Sequence, residues 1–240
     1  MEYRPQYQRI LLKLSGESLS GTQPFGLDQK ACEYIASSIQ TLHDLKVQIG
    51  IVVGGGNFFR GSLAKSFGFE RTSADQIGMI ATLINGLALS QSMRKLGIKS
   101  KVLSALSFGP FIEPYRWSTT IDYLEQNQVV IFVGGTGNPY FTTDTAAALR
   151  ASEIQAEVLI KATKVDGIFD KDPKVEENAK MYTKISYEEV LANNLSVMDG
   201  AAIALCRDNK IPVHVVNFYS RQALLDAICL KKGGTLVTGD

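Results

Sequence analysis

Apolar residues run along the chain in two alternating rhythms. Six short runs are almost continuously apolar: "RILLKL" at 9–14, "VQIGIVV" at 47–53, "SKVLSAL" at 100–106, "QVVIFVG" at 128–134, "EVLIKAT" at 157–163 and "IPVHVVN" at 211–217. Runs of that length predict strands buried on both faces. Between them the spacing turns helical. From Asp28, placed as an N-cap, Ala31, Ile35, Ile39, Leu42 and Leu45 recur every third or fourth position, and a second run from Asp75 carries Ile80, Leu83, Ile84 and Leu87 and stops near Gly97. Further helices are expected over 118–126, 142–153, 186–194, 199–209 and 219–230. Strands alternating with helices imply right-handed crossovers, hence an α/β fold with a mainly parallel sheet covered on both faces. The least regular segment, "KVDGIFDKDPKVEENAKMYTK" at 164–184, mixes a DG turn, charge and proline and predicts a hairpin or flap after a strand.

Three turns at the ends of predicted strands are rich in glycine: "KLSGES", "VVGGGNFFRG" and "VGGTGNPYFTTD". In parallel sheets ligands bind beyond the carboxyl ends of strands, where turns present backbone N–H groups and glycine lets the backbone come close, so phosphate is the natural guest. No GxxxxGK[ST] occurs, and Phe59 and Tyr140 stand where a GxGxxG turn would need its third glycine. Neither a P-loop nor a standard dinucleotide site is expected. Lys13 interrupts an apolar strand just before a glycine turn, Arg60 closes a second turn, and Asp144 follows the third. Cations around phosphate turns point to phosphoryl transfer, in which a protein positions two substrates and neutralises charge on the moving group.

Composition narrows the class without changing it. The 25 basic and 24 acidic residues leave a net charge of +1, without the long like-charge runs of a surface for a nucleic-acid polymer. Cys32, Cys206 and Cys229 form no CxxC pair, so neither a disulfide framework nor a zinc site is expected. No stretch approaches the about 18 apolar residues of a membrane span, and Lys13 breaks the short N-terminal run, which predicts a cytoplasmic protein with no membrane partner. His43 and His214 read as structural, and Trp117, Met79, Met93 and Met198 as packing.

"KLSGE", "VGGGNFFRG", "GTGNPYFTTD", "KATKVDGIF" and "VMDGAAIALCRDNKIPVHVVN", in that order, resemble the bacterial UMP kinases (uridylate kinases) of the amino-acid kinase superfamily. The resemblance implies an αβα sandwich of the carbamate kinase-like type. It implies one domain with a UMP-binding lobe over about 1–155 and an ATP-binding lobe over about 156–240, a homohexamer, and the reaction MgATP + UMP to ADP + UDP. Matched motif by motif, Lys13, Leu14, Ser15, Gly16, Gly56 and Arg60 are expected around the ATP phosphates, with Thr163, Phe169 and Asp172 bordering the adenosine. Gly55 is expected at the UMP phosphate and Asp75, opening the second helix, at the ribose. Thr136, Gly137, Asn138, Pro139, Tyr140, Phe141, Thr142 and Thr143 are expected to wrap the rest of UMP. Lys13, Arg60 and Asp144 take the catalytic roles. Mg²⁺ is expected with ATP, and no protein metal site.

The resemblance further implies a UTP inhibitor and a GTP effector, although "LALSQSMRKLG" offers only Arg94 and Lys95 where some relatives carry more charge. Two other readings stay open at this level: a sister kinase acting on a small carboxylate or carbamate, disfavoured by the absence of a late lysine in "VMDGAAIALCRD", and a non-catalytic nucleotide- or oxyanion-binding module. A nicotinamide oxidoreductase fails for want of the fingerprint.

Overall fold

The six apolar runs form the centre of a single sheet. The structure, a computed structural model, describes residues 3–239 other than 174, 177 and 196. The chain runs β1 (Arg9–Leu14), α1 (Gln29–Asp44), β2 (Gln48–Val53), α2 (Gly61–Ser66), α3 (Arg71–Lys95), β3 (Ser100–Ser104), β4 (Glu113–Pro114) and α4 (Trp117–Glu125). It continues through β5 (Val129–Val133), α5 (Thr143–Glu153), β6 (Val158–Thr163), β7 (Ile168–Phe169), β8 (Met181–Tyr182) and β9 (Lys184–Ser186), then α6 (Tyr187–Ala192), α7 (Gly200–Asp208), β10 (Val213–Asn217), α8 (Arg221–Leu230) and β11 (Thr235–Thr238). Nine of these strands share one sheet in the order β4-β3-β5-β2-β1-β6-β10-β11-β9, all parallel except the β10–β11 pair. β7 and β8 pair as a separate antiparallel hairpin, as expected for the irregular segment.

Period-two alternation splits the core in two. Ile10, Leu12 and Leu14 of β1 pack with Ile35 and Ile39 of α1, Leu89 of α3 and Leu224 of α8, whereas Leu11 faces the other layer with Ala147 of α5 and Ile203 of α7. This is the αβα sandwich, and it places Lys13, two residues after Leu11, on the α5 side. Asp28 caps α1 by accepting from the Ala31 amide at 2.7 Å. The three cysteines are buried and unpaired. Among the described residues no helix is long and apolar enough to cross a membrane.

Some expectations need correcting. α3 begins at Arg71, with Glu70 as N-cap, so Asp75 lies in its second turn and does not open it. The helical spacing of Ile80, Ile84 and Leu87 does not mark an inner face either: these side chains are 49%, 44% and 42% exposed, and only Leu83 is buried. The physical reason is crowding. Gly86 packs so near β5 that an added Cβ would lie 2.4 Å from Val133 Cγ1, and Thr82 and Asn85 occupy the buried side. Trp117 is 64% exposed, so it is not a packing residue as first read. The short strands β4, β9 and β11 and the helix α2 carry too little periodicity to be read from sequence.

Candidate active site

Strand register creates the central feature. β1 and β6 are neighbours, and Lys13 pairs with Lys161 across them, so two lysines on adjacent strands sit side by side on the α5 face. Like charges so placed repel. The start of α5 supplies the compensation: Lys13 Nζ lies 2.5 Å from Asp144 Oδ1 as an ion pair, and Lys161 Nζ donates to Asp144 Oδ2 at 2.7 Å. Lys161 also donates to the Val197 carbonyl. All three side chains are largely buried. Burial pushes the Asp144 carboxyl up, but the two ammonium groups outweigh it and hold the group below the ordinary carboxylate value. Burial pulls Lys161 below the ordinary lysine value, opposed by the Asp144 charge and reinforced by Lys13. Two amino groups and one carboxylate thus share a largely buried site.

The N-terminus of α5 is held by reciprocal bonds. Thr142 accepts from the amides of Asp144 at 3.0 Å and Thr145 at 3.3 Å, and its hydroxyl donates to Asp199. Asp199 also accepts from Thr145 Oγ1 at 3.0 Å and caps α7 through the Ala202 amide at 2.9 Å. Asp199 thus ties the third glycine turn to the helix behind Lys161.

Two cavities flank this start of α5. One, of about 370 Å³, is lined by Gly55, Gly56, Arg60, Asp75, Thr136, Asn138, Phe141, Thr142 and Thr143, so the structure gathers most of the residues expected at UMP. Gly137, Pro139 and Tyr140 do not line it. Gly137 shapes the turn with φ +84°, and Tyr140, at φ +72°, donates its amide to Asp75 Oδ2 at 2.8 Å under the Arg71 guanidinium. The other cavity, of about 520 Å³, is lined by Lys161 together with Thr163, Phe169 and Asp172, which brings the expected adenosine-side residues together.

The first two glycine turns meet between these spaces. Gly54 N–H donates to the Leu14 carbonyl at 2.9 Å, and an added Cβ on Gly16 would lie 2.7 Å from the Gly56 nitrogen. Leu14 contributes to this joint through its backbone, its side chain being fully buried. Ser15 Oγ bonds Ser18 Oγ at 2.9 Å, and Arg60 ion-pairs with Glu17 at 2.9 Å while its Nε donates to the Gly56 carbonyl at 3.1 Å. Sequence reasoning missed Lys161, Asp199 and Glu17. Lys161 carried the same signal as Lys13, a lysine inside an otherwise apolar strand.

Comparison with known proteins places this geometry in context. Residues 8–217 match the amino acid kinase family. The chain is 58% identical over 210 residues to the uridylate kinase of Protochlamydia amoebophila, covering 88% of this chain and 84% of that protein. It is 50% identical over 229 residues to the uridylate kinase of Helicobacter hepaticus, covering 95% and 97%. The solved structure of UMP kinase from Bacillus anthracis matches with a TM-score of 0.95 at 39% identity, over 99% of this chain and 98% of that one.

Proposed function

The chain belongs to the amino acid kinase family, and from that premise we propose how its site performs MgATP + UMP to ADP + UDP. The protein is a phosphotransferase, a nucleoside monophosphate kinase that phosphorylates UMP. The observation that carries the residue assignment is the Lys13–Asp144–Lys161 bridge at the start of α5, where Thr142 and Thr143 face one cavity and Lys161 lines the other. UMP occupies the first cavity and ATP the second, with their phosphates meeting at the joined glycine turns.

No general base is required. The second pKa of a phosphate monoester is about 6, so the acceptor is largely a dianion at neutral pH. One of its oxygens attacks the γ-phosphorus, the bond to the β–γ bridging oxygen breaks, and the electron pair leaves with ADP. What opposes this is repulsion between two polyanions. Lys13 and Lys161 stabilise charge on the transferring group, Arg60 exchanges its Glu17 partner for phosphate, and Asp144 fixes both ammonium groups. Mg²⁺ enters as MgATP, held by phosphate oxygens, and neutralises charge on the β- and γ-phosphates.

The test is ADP release from MgATP with UMP, CMP, AMP, GMP, N-acetylglutamate and carbamate as acceptors, with UTP and GTP added at saturating UMP. Strong preference for UMP is expected. Turnover with a carboxylate would favour the sister-kinase reading, and none with any acceptor the binding-module reading.

We also propose self-association into the homohexamer that the sequence resemblance implies. The support is the outer face of α3, where Ile77, Ile80, Ile84 and Leu87 expose a continuous apolar stripe. Sedimentation should give a mass several times that of the chain, and Ile80→Glu should lower it with the secondary structure retained. An unchanged mass in that variant counts against this face.

A further inference from the structure

The inner face of α3 carries Asp75, Gly78, Thr82 and Asn85, three or four residues apart, and each touches a glycine turn of the acceptor cavity. Thr82 and Asn85 are unusual occupants of a helix position packed on a sheet: they are 2% and 0% exposed. Polar groups buried so deeply cost stability unless they are bonded. Thr82 donates its hydroxyl to the Met79 carbonyl at 2.6 Å, which leaves its oxygen to accept the Gly134 N–H at 2.7 Å. Asn85 donates to the Gly54 carbonyl at 2.7 Å and interlocks with Asn57, each amide donating to the other at 2.7 and 2.9 Å. The peptides so held are those whose glycine neighbours, Gly55 and Gly135, line the acceptor cavity, and Gly134 and Gly135 both have positive φ.

Resting on the UMP reading above, we propose that Thr82 and Asn85 are positioning residues for the phosphoryl transfer. They hold the second and third glycine turns at a fixed separation, so that the backbone donors facing the acceptor phosphate are in place before it binds. A misplacement of 1 Å at such a point costs about 10²-fold in rate. A role in packing alone would lower stability without discriminating between the two substrates.

Thr82→Val keeps shape and removes the hydroxyl, whereas Thr82→Ser keeps the hydroxyl. Steady-state kinetics and melting temperatures of the full chain are measured for both, beside Asn85→Leu. Thr82→Val is expected to lower kcat about 10- to 100-fold and to raise KM for UMP severalfold with KM for MgATP nearly constant, Thr82→Ser to restore both, and Asn85→Leu to follow Thr82→Val at greater cost in stability. Unchanged kinetics in Thr82→Val, or equal losses in Thr82→Ser, would overturn the proposal while wild-type turnover of UMP left the functional reading standing. Absence of ADP release by the wild type would instead remove that reading, and the positioning role with it.

Discussion

Asp144→Asn is expected to lower kcat for UMP phosphorylation by about two to three orders of magnitude, the range seen when one preorganised electrostatic group is lost. The carboxylate ion-pairs with both lysines, which hold paired positions of β1 and β6. An asparagine keeps the size and removes the charge, so Lys13 and Lys161 face each other uncompensated. Lys161, already depressed by burial, loses the neighbour that raises it. The variant's residual activity should therefore fall at a lower pH on the alkaline side than that of the wild type, as Lys161 becomes neutral. Removing one partner from a buried ion pair also costs about 3–5 kcal/mol, so rates are compared per folded protein, judged by circular dichroism.

The same carboxylate sets an acid limit. Its folded pKa lies below the ordinary value of 3.8, so the folded state gains stability that is fully present above that value and lost as pH falls through the folded pKa. Denaturant unfolding of the wild type should show this loss below about pH 3.8, and the asparagine variant should show a smaller one, carried by other carboxyls such as Glu189. Full kcat in Asp144→Asn would end the claim that the lysines depend on it.

How much of this was legible before folding depends on how local the signal was. Continuous apolar runs such as "RILLKL" and "QVVIFV" announced central strands, and Asp28 and Thr142 announced helix starts, because each is decided within a few residues. The pairing of Lys13 with Lys161 is a property of strand order, 148 residues apart in sequence for these two positions, and no local pattern fixes it. α3 misled for a different reason. Where it approaches two glycine turns, Gly78, Thr82, Asn85 and Gly86 lie inside and Ile80 and Ile84 outside, while Leu83, Leu89 and Met93 still pack into the core, so the apolar stripe is split between two faces. The edge strand β9 and its neighbour β11 depend on the sheet already being present to pair with.

Gly16→Ala should have an effect of similar size by geometry alone. The position has no positive φ, so the constraint is room: a Cβ would stand 2.5 Å from Asn57 Oδ1, 2.7 Å from the Gly56 nitrogen and 2.8 Å from the Gly54 carbonyl oxygen. Two of those three atoms are backbone and the third belongs to an amide locked to Asn85. None can move without parting the turn after β1 from the turn after β2, at the point where donor and acceptor phosphates are brought together. Overpacking of this kind costs about 1–3 kcal/mol, and roughly 2–4 °C in Tm for each kcal/mol in a chain of this size. The larger loss falls on catalysis: kcat/KM should drop at least about 100-fold, because the separation of the reacting groups is what the joint sets. Gly200→Ala at the start of α7 is the control, its nearest neighbour being Leu191 Cδ2 at 3.9 Å, and it should leave kcat/KM unchanged with Tm level or slightly raised. If Gly16→Ala keeps kcat/KM within about threefold of wild type, well short of the loss that misplacement entails, close approach of the two turns does not govern the transfer, and the charge cluster around Asp144 must carry it without that alignment.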